Sequence, residues 1–124
     1  MRNFKEDLEK VATIADWDDV ETLRFPIFYT KETENMLVDD LELSQRGYTV
    51  LRANKVRYFG ELIRRWDEIK DFHSCGIITR REIKQKFLQR WYQMLSNEDV
   101  DRFWEGVIRE NYVEPEMETE VKVA

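Results

Sequence analysis

Apolar positions along this chain recur mostly at three- and four-residue steps, the period that returns side chains to one face of an α-helix. Asn3 and Glu6 stand as an N-terminal capping pair ahead of Leu8, Val11, Ala12 and Ala15, so a short helix is expected there, with a break near Asp16 or Trp17. Pro26 makes residues 24–29 an extended apolar connector packed under the domain, because a residue before proline avoids the helical region. Thr30 or Thr33 then caps a helix carrying Met36, Leu37, Leu41 and Leu43, which ends before Gly47 in a left-handed C-terminal position. Tyr48, Thr49, Val50 and Leu51 have the residue types of a strand, and a two-stranded ribbon with residues 24–29 is the minor alternative for that stretch.

The strongest periodicity runs over residues 52–72, where Val56, Phe59, Ile63, Trp66 and Ile69 form one stripe. On the other side Arg57, Glu61 and Arg65, and Arg64 with Glu68, stand four apart in opposite sign, as in exposed ladder pairs. The stripe suits the core of a monomer or the seam of a dimer equally well. After a connection at Ser74, Cys75 and Gly76, Thr79 and Glu82 match a capping box, so the next helix is expected to begin at Thr79, with Ile77 and Ile78 plugging the turn into the core. Ile83, Phe87, Leu88, Trp91, Tyr92 and Leu95 give that helix a broad apolar face. Ser96 opens a last helix through Val100, Phe103, Trp104, Val107 and Ile108, and Pro115 prevents its extension.

These elements predict an all-α fold, a compact bundle of about five helices forming one domain over residues 1–113. An acidic tail over residues 114–124 is expected to be disordered. Only four Gly and two Pro punctuate the 124 residues, which favours a few long elements over many short strands. Trp66, Trp91 and Trp104 all fall on apolar stripes and are assigned to the core.

Charge changes the picture more than composition does. Residues 1–46 hold 6 Lys and Arg against 12 Asp and Glu, residues 47–93 hold 11 against 5, and residues 94–124 hold 3 against 9. The blocks are therefore −6, +6 and −6 within a net charge of −6. Acidic ends can fold back on the basic middle, or the middle can offer its own surface to an anionic partner. The single cysteine excludes an internal disulfide framework, and neither a signal segment nor a long apolar run occurs, so a cytoplasmic location without membrane contact is expected.

Residues 71–82 resemble an EF-hand loop: Asp71 stands at the first place, Gly76 at the sixth, Ile78 at the eighth, Thr79 at the ninth and Glu82 at the twelfth. The resemblance covers only these twelve residues and their flanking helices. It departs at His73 and Cys75, which stand where a hard cation needs oxygen donors. A helical hairpin accounts for the same residues without metal. His73 and Cys75 are the only His and Cys in the chain, too few for a transition-metal site and without a signature of nucleophilic catalysis. The acidic doublets Asp18 with Asp19 and Asp39 with Asp40 diverge by about 100° on a helix and are expected to be solvated. No glycine-rich phosphate loop, nucleophile elbow or HExxH pattern occurs. No enzymatic activity, catalytic residue, cofactor or metal is therefore expected.

What stands out instead is a basic cluster: Arg80, Arg81 and Lys84 at the start of one helix, with Arg64 and Arg65 on the preceding one. Cations there oppose the helix dipole, which stability alone would not favour. The leading expectation is a protein-interaction module, an adaptor, assembly factor or inhibitor, that binds another protein through Arg64, Arg65, Arg80, Arg81 and Lys84. One alternative is a nucleic-acid-binding or nucleoprotein-complex subunit using the same cations. Another is an acidic mimic of nucleic acid, in which Asp16, Asp18 and Asp19 meet the partner.

Overall fold

Phe4 and Leu8, one helical turn apart, are both buried, and this pairing seats the first helix, α1 (Phe4–Ala12), on the rest of the chain. Its start is capped as the sequence predicts: the Asn3 side chain accepts the Glu6 N–H at 3.0 Å. The computed structural model describes residues 2–12 and 23–111. The expected break at Asp16 or Trp17, the doublet Asp18 and Asp19, and the tail from Glu114 lie outside the described residues.

Residues 24–29 form a connector without helix or strand that turns at Pro26, where the Ile27 N–H bonds the Phe25 carbonyl at 2.8 Å, with Phe25 buried and Ile27 and Phe28 packed against the core. Thr30 caps α2 (Lys31–Glu34), its hydroxyl accepting the Thr33 N–H. The longer helix expected beyond it does not form. One turn ends at Asn35, Leu37 pairs antiparallel with Tyr58, and a 3-10 helix follows at Val38–Leu41. Extended backbone at Leu37 leaves that side chain 44 % exposed while Val38 and Leu41 of the 3-10 helix are buried.

Gly47 is not a helix terminus. It lies in the first turn of α3 (Gln45–Ala53), where its N–H is capped by the Ser44 hydroxyl at 3.1 Å. Because α3 includes residues 48–51, the ribbon with residues 24–29 is absent; the isolated Leu37–Tyr58 bridge is the β pairing found among the described residues.

The long helix expected over residues 52–72 is three pieces: the end of α3, α4 (Phe59–Arg64) and a 3-10 helix at Trp66–Asp71. The break has an identifiable cause. Lys55 adopts φ 62°, the Lys55 N–H reaches the Arg52 carbonyl at 3.0 Å, and the Val56 N–H reaches the Leu51 carbonyl at 2.9 Å, the bond pattern of a Schellman stop with lysine in the usual glycine place. Val56, Phe59, Ile63, Trp66 and Ile69 are nevertheless all buried inside the one chain, so the stripe closes the monomer's core.

The two long helices are α5 (Ile77–Gln93) and α6 (Asn97–Asn111). The last begins as predicted, with the Ser96 hydroxyl accepting the Asp99 N–H at 3.1 Å. The expected start of α5 at Thr79 is wrong by two residues: Gly76 precedes the first turn, Thr79 points inward, and Glu82 serves another helix. At the centre of the fold, α5 packs on α1, α3 and both 3-10 helices, while α6 covers α1 and α4 covers α2.

Aromatic rings fill the interior. Phe4, Phe25, Tyr92, Phe103 and Trp104 form one cluster, and Phe59, Trp66 and Phe87 another. Trp91 joins them, 5.1 Å from Phe103 and 6.3 Å from Phe87 by ring centroids. Trp66, Trp91 and Trp104 are all core residues, as their spacing predicts. Among the described residues no helix is long and apolar enough to cross a membrane.

Candidate interaction surfaces

The five cations singled out from the sequence do not form one patch. Arg65 is a strut: its guanidinium donates to the Asn54 carbonyl at 2.6 Å, reaches Glu68 at 3.4 Å and lies 4.6 Å from the Phe72 ring centroid. Asn54 itself bonds the backbone of His73 in both directions, at 2.9 and 3.2 Å, so Arg65 helps to lock the end of α3 to the loop before α5. Arg64 is exposed at the end of α4.

Successive helical residues diverge by about 100°, and this separates the α5 cations. Arg80 and Lys84, four apart, share one side. Lys84 Nζ sits 5.5 Å over the Trp66 ring and lines a cleft of about 670 Å³ with Arg24, Asp67, Lys70 and Glu110. Arg81 turns the other way, beside Ile78, Gln85 and Lys86, with its Nε buried and without a hydrogen-bond partner. Because α5 begins at Ile77, Arg80 and Arg81 stand beyond its first three residues, and the conflict with the dipole is weaker than a start at Thr79 implies.

That same shift overturns the expectation that Ile77 and Ile78 plug the turn. They occupy the first two helical positions and are 51 % and 79 % exposed, whereas Thr79 takes the inward place at 9 %. Two adjacent isoleucines therefore face solvent next to Arg81.

The EF-hand-like stretch does not converge on a centre. Asp71 closes a 3-10 helix, Ser74 takes φ 62°, and the Glu82 carboxylate is committed to Ser44, accepting its N–H and its hydroxyl at 2.7 Å each. Among the described residues no three His, Cys, Asp or Glu side chains come together to hold a metal ion. Cys75 is half-buried, its Sγ 3.8 Å from the Gly76 carbonyl. The helical ladder expected of Arg57, Glu61 and Arg65 is also replaced. Arg57 precedes α4, and Glu61 reaches back to accept the N–H groups of Arg57 at 2.7 Å and Tyr58 at 3.0 Å. These bonds hold the Glu61 carboxyl below its ordinary pKa.

A further group of cations was legible as a run. Residues 43–60 contain Arg46, Arg52, Lys55 and Arg57 and no acid. All four are exposed on α3 and the turn after it. Leu37, 44 % exposed, and Tyr58, 38 % exposed, lie beside two of them, and a groove of about 310 Å³ is lined by Leu37 and Tyr58 with Tyr48, Val56, Arg52 and Arg57. Nothing in the local sequence brings Leu37 to this site; the bridge to Tyr58 does. Comparison of the chain with protein-family models, curated proteins and solved structures finds no match.

Proposed function

We propose that this chain is a non-enzymatic protein-interaction module, an adaptor, assembly factor or inhibitor, that works in the cytoplasm through the first two turns of α5. The observation that carries this reading is the exposure of Ile77 and Ile78 beside Arg81. Full burial of an isoleucine is worth on the order of 1.5–3 kcal/mol, and Ile78, 79 % exposed, forgoes most of it and Ile77, 51 % exposed, about half, which a contact with a partner recovers. The pair is presented on a fixed support, because Thr79 and Ile83 face inward and Glu82 is tied to Ser44. An apolar spot edged by Arg81 and Lys86 suits a protein surface with an apolar pocket and a carboxylate rim. Arg80 and Lys84, on the other side of α5, and Arg64, at the end of α4, are not part of this contact.

Affinity purification from the native cell, with the wild-type chain and an Ile78→Asp/Arg81→Glu variant of unchanged circular dichroism, tests this reading. A protein recovered in stoichiometric amount by the first and lost from the second is the expected result. Identical recoveries would overturn it. So would tight binding of DNA or RNA at low salt that survives Ile78→Asp, since phosphate contacts need no isoleucine.

A further inference from the structure

A second surface lies at the turn between α3 and α4, distinct from the α5 face and independent of it. Leu37 and Tyr58 oppose each other in the antiparallel bridge, and the bonds on either side are Val38 N–H to Arg57 O at 2.9 Å and Phe59 N–H to Met36 O at 2.8 Å. Theirs is thus the closely spaced, non-hydrogen-bonded kind of cross-strand pair, in which side chains meet. An aliphatic and an aromatic group are held together there, both open to solvent.

Positive charge lies beside them. Arg52 and Arg57 line the same groove, with Lys55 in the turn between them, and none of the three forms an ion pair among the described residues; Arg46 lines another pocket, with Gln45, Thr49 and Ser74. Asp39, of the acidic N-terminal block, also lines the groove wall, and the Glu61 carboxylate lies close by on the Arg57 and Tyr58 N–H groups.

We propose that this surface docks an acidic amphipathic segment of a partner protein, with an apolar side chain seated against Leu37 and Tyr58 and carboxylates taken by Arg52 and Arg57. Arginine binds carboxylate through two parallel N–H donors, and Tyr with Arg is the composition of interface hot spots. A peptide also carries N–H donors that Asp39 can accept and an apolar side chain that Leu37 can seat, whereas Asp39 repels carboxylate and phosphate alike and a phosphate backbone makes no use of Leu37.

The test is selection of random short peptides displayed on phage against the full chain, followed by affinity measurement of the synthetic winners. Peptides rich in Asp or Glu around an aliphatic or aromatic residue are expected. Their affinity should fall at least about tenfold on Arg52→Glu/Arg57→Glu and on Tyr58→Ser. It should fall less on Arg57→Lys, which keeps the charge and loses the paired donors, than on Arg57→Glu, and be unchanged on Ile78→Asp/Arg81→Glu, which separates this surface from the α5 face. Thermal unfolding of each variant guards against loss by misfolding. Failure of the selection to converge, winners without acidic residues, or equal binding to the Arg52→Glu/Arg57→Glu variant would each overturn the proposal. Binding of single-stranded oligothymidylate as tight as that of the best peptide would reassign the surface to nucleic acid, and a dimer abolished by Tyr58→Ser would reassign it to a second copy.

Discussion

Glu82 on α5 holds Ser44 at the start of α3 with both carboxylate oxygens, one on the backbone N–H and one on the hydroxyl, each at 2.7 Å. The Ser44 hydroxyl in turn accepts the Gly47 N–H, so a carboxylate from one helix orients the cap of another. Charge-assisted hydrogen bonds contribute roughly 1.5–3 kcal/mol and a serine cap about 1 kcal/mol. Glu82→Ala is therefore expected to destabilise by ~2 kcal/mol and Ser44→Ala by ~1 kcal/mol, with the double variant losing clearly less than the sum. Urea unfolding of the four chains closes the cycle, and strict additivity would show that the two residues act independently.

Tyr92 donates to Asp7 at 2.5 Å and accepts from Trp104 Nε1 at 2.8 Å, and its ring is almost fully buried. Burial, then the bond to Asp7, raises its pKa from 10.0 to about 12. Since the folded state holds the phenol proton more tightly than the unfolded chain, this contribution is complete below pH 10 and is lost as pH rises from there through about 12. Tyr92→Phe should cost ~1–3 kcal/mol at neutral pH by stripping two partners of one hydroxyl. The gap between wild type and variant should narrow in denaturation experiments above pH 10. A constant gap would contradict the ionisation argument.

Local capping was legible at Asn3 with Glu6 and at Ser96 with Asp99, because donor and acceptor lie three residues apart. Periodicity likewise marked Phe87, Trp91, Phe103 and Trp104 as core, since burial follows the helical face whatever the partner. Long-range partners were not legible. Glu82 finds Ser44 across 38 residues, and Arg65 and His73 both find Asn54, so Glu82 read as a box for its own helix and Arg65 as a surface charge. The helix break at Lys55 also lacked its usual sign, a glycine. For the surfaces, the acid-free run over residues 43–60 was readable, but Leu37 joins it only through a tertiary bridge, and Ile77 and Ile78 face outward only because α5 starts two residues early.

Lys55 offers a stabilising change. A non-glycine residue at φ 62° costs roughly 1 kcal/mol, and glycine carries no such penalty in a Schellman stop, although it gives back part of the gain through its looser unfolded chain. Lys55→Gly should raise stability by about 0.5 kcal/mol, visible as a small increase in urea midpoint at unchanged slope. A decrease would mean that the Lys55 side chain makes a stabilising contribution larger than the backbone strain.

Glu61 contributes an acid-sensitive part of the stability. Its carboxyl lies below the ordinary value of 4.5, chiefly through the Arg57 N–H, with help from the Tyr58 N–H and the nearby Arg64 and Arg57 charges. A depressed folded pKa gives stability that is present above about pH 4.5 and disappears as pH falls through the folded value. Glu61→Gln keeps one acceptor and removes the titration. Its stability should thus change less than that of wild type as pH falls from 5 through and below the ordinary value of 4.5. Equal slopes in the two proteins would rule out Glu61 as a source of the acid dependence.

Gly106 is expected to resist a substitution that helix propensity favours. It lies inside α6, where alanine gains about 1 kcal/mol over glycine in an open helix. Here a Cβ would stand 2.5 Å from Pro26 Cγ and 3.2 Å from Pro26 Cβ, so α6 or the 24–29 connector must move. The pyrrolidine ring cannot swing aside as a flexible side chain would, and overpacking of this kind typically costs 1–3 kcal/mol, about enough to cancel or exceed the helical gain. Gly106→Ala should therefore leave stability unchanged or lower it by up to about 2 kcal/mol, read from urea unfolding, and Pro26→Ala should restore much of any loss in the double variant. A stabilised Gly106→Ala protein would show that α6 and the connector sit farther apart in solution than Gly106 and Pro26 do here.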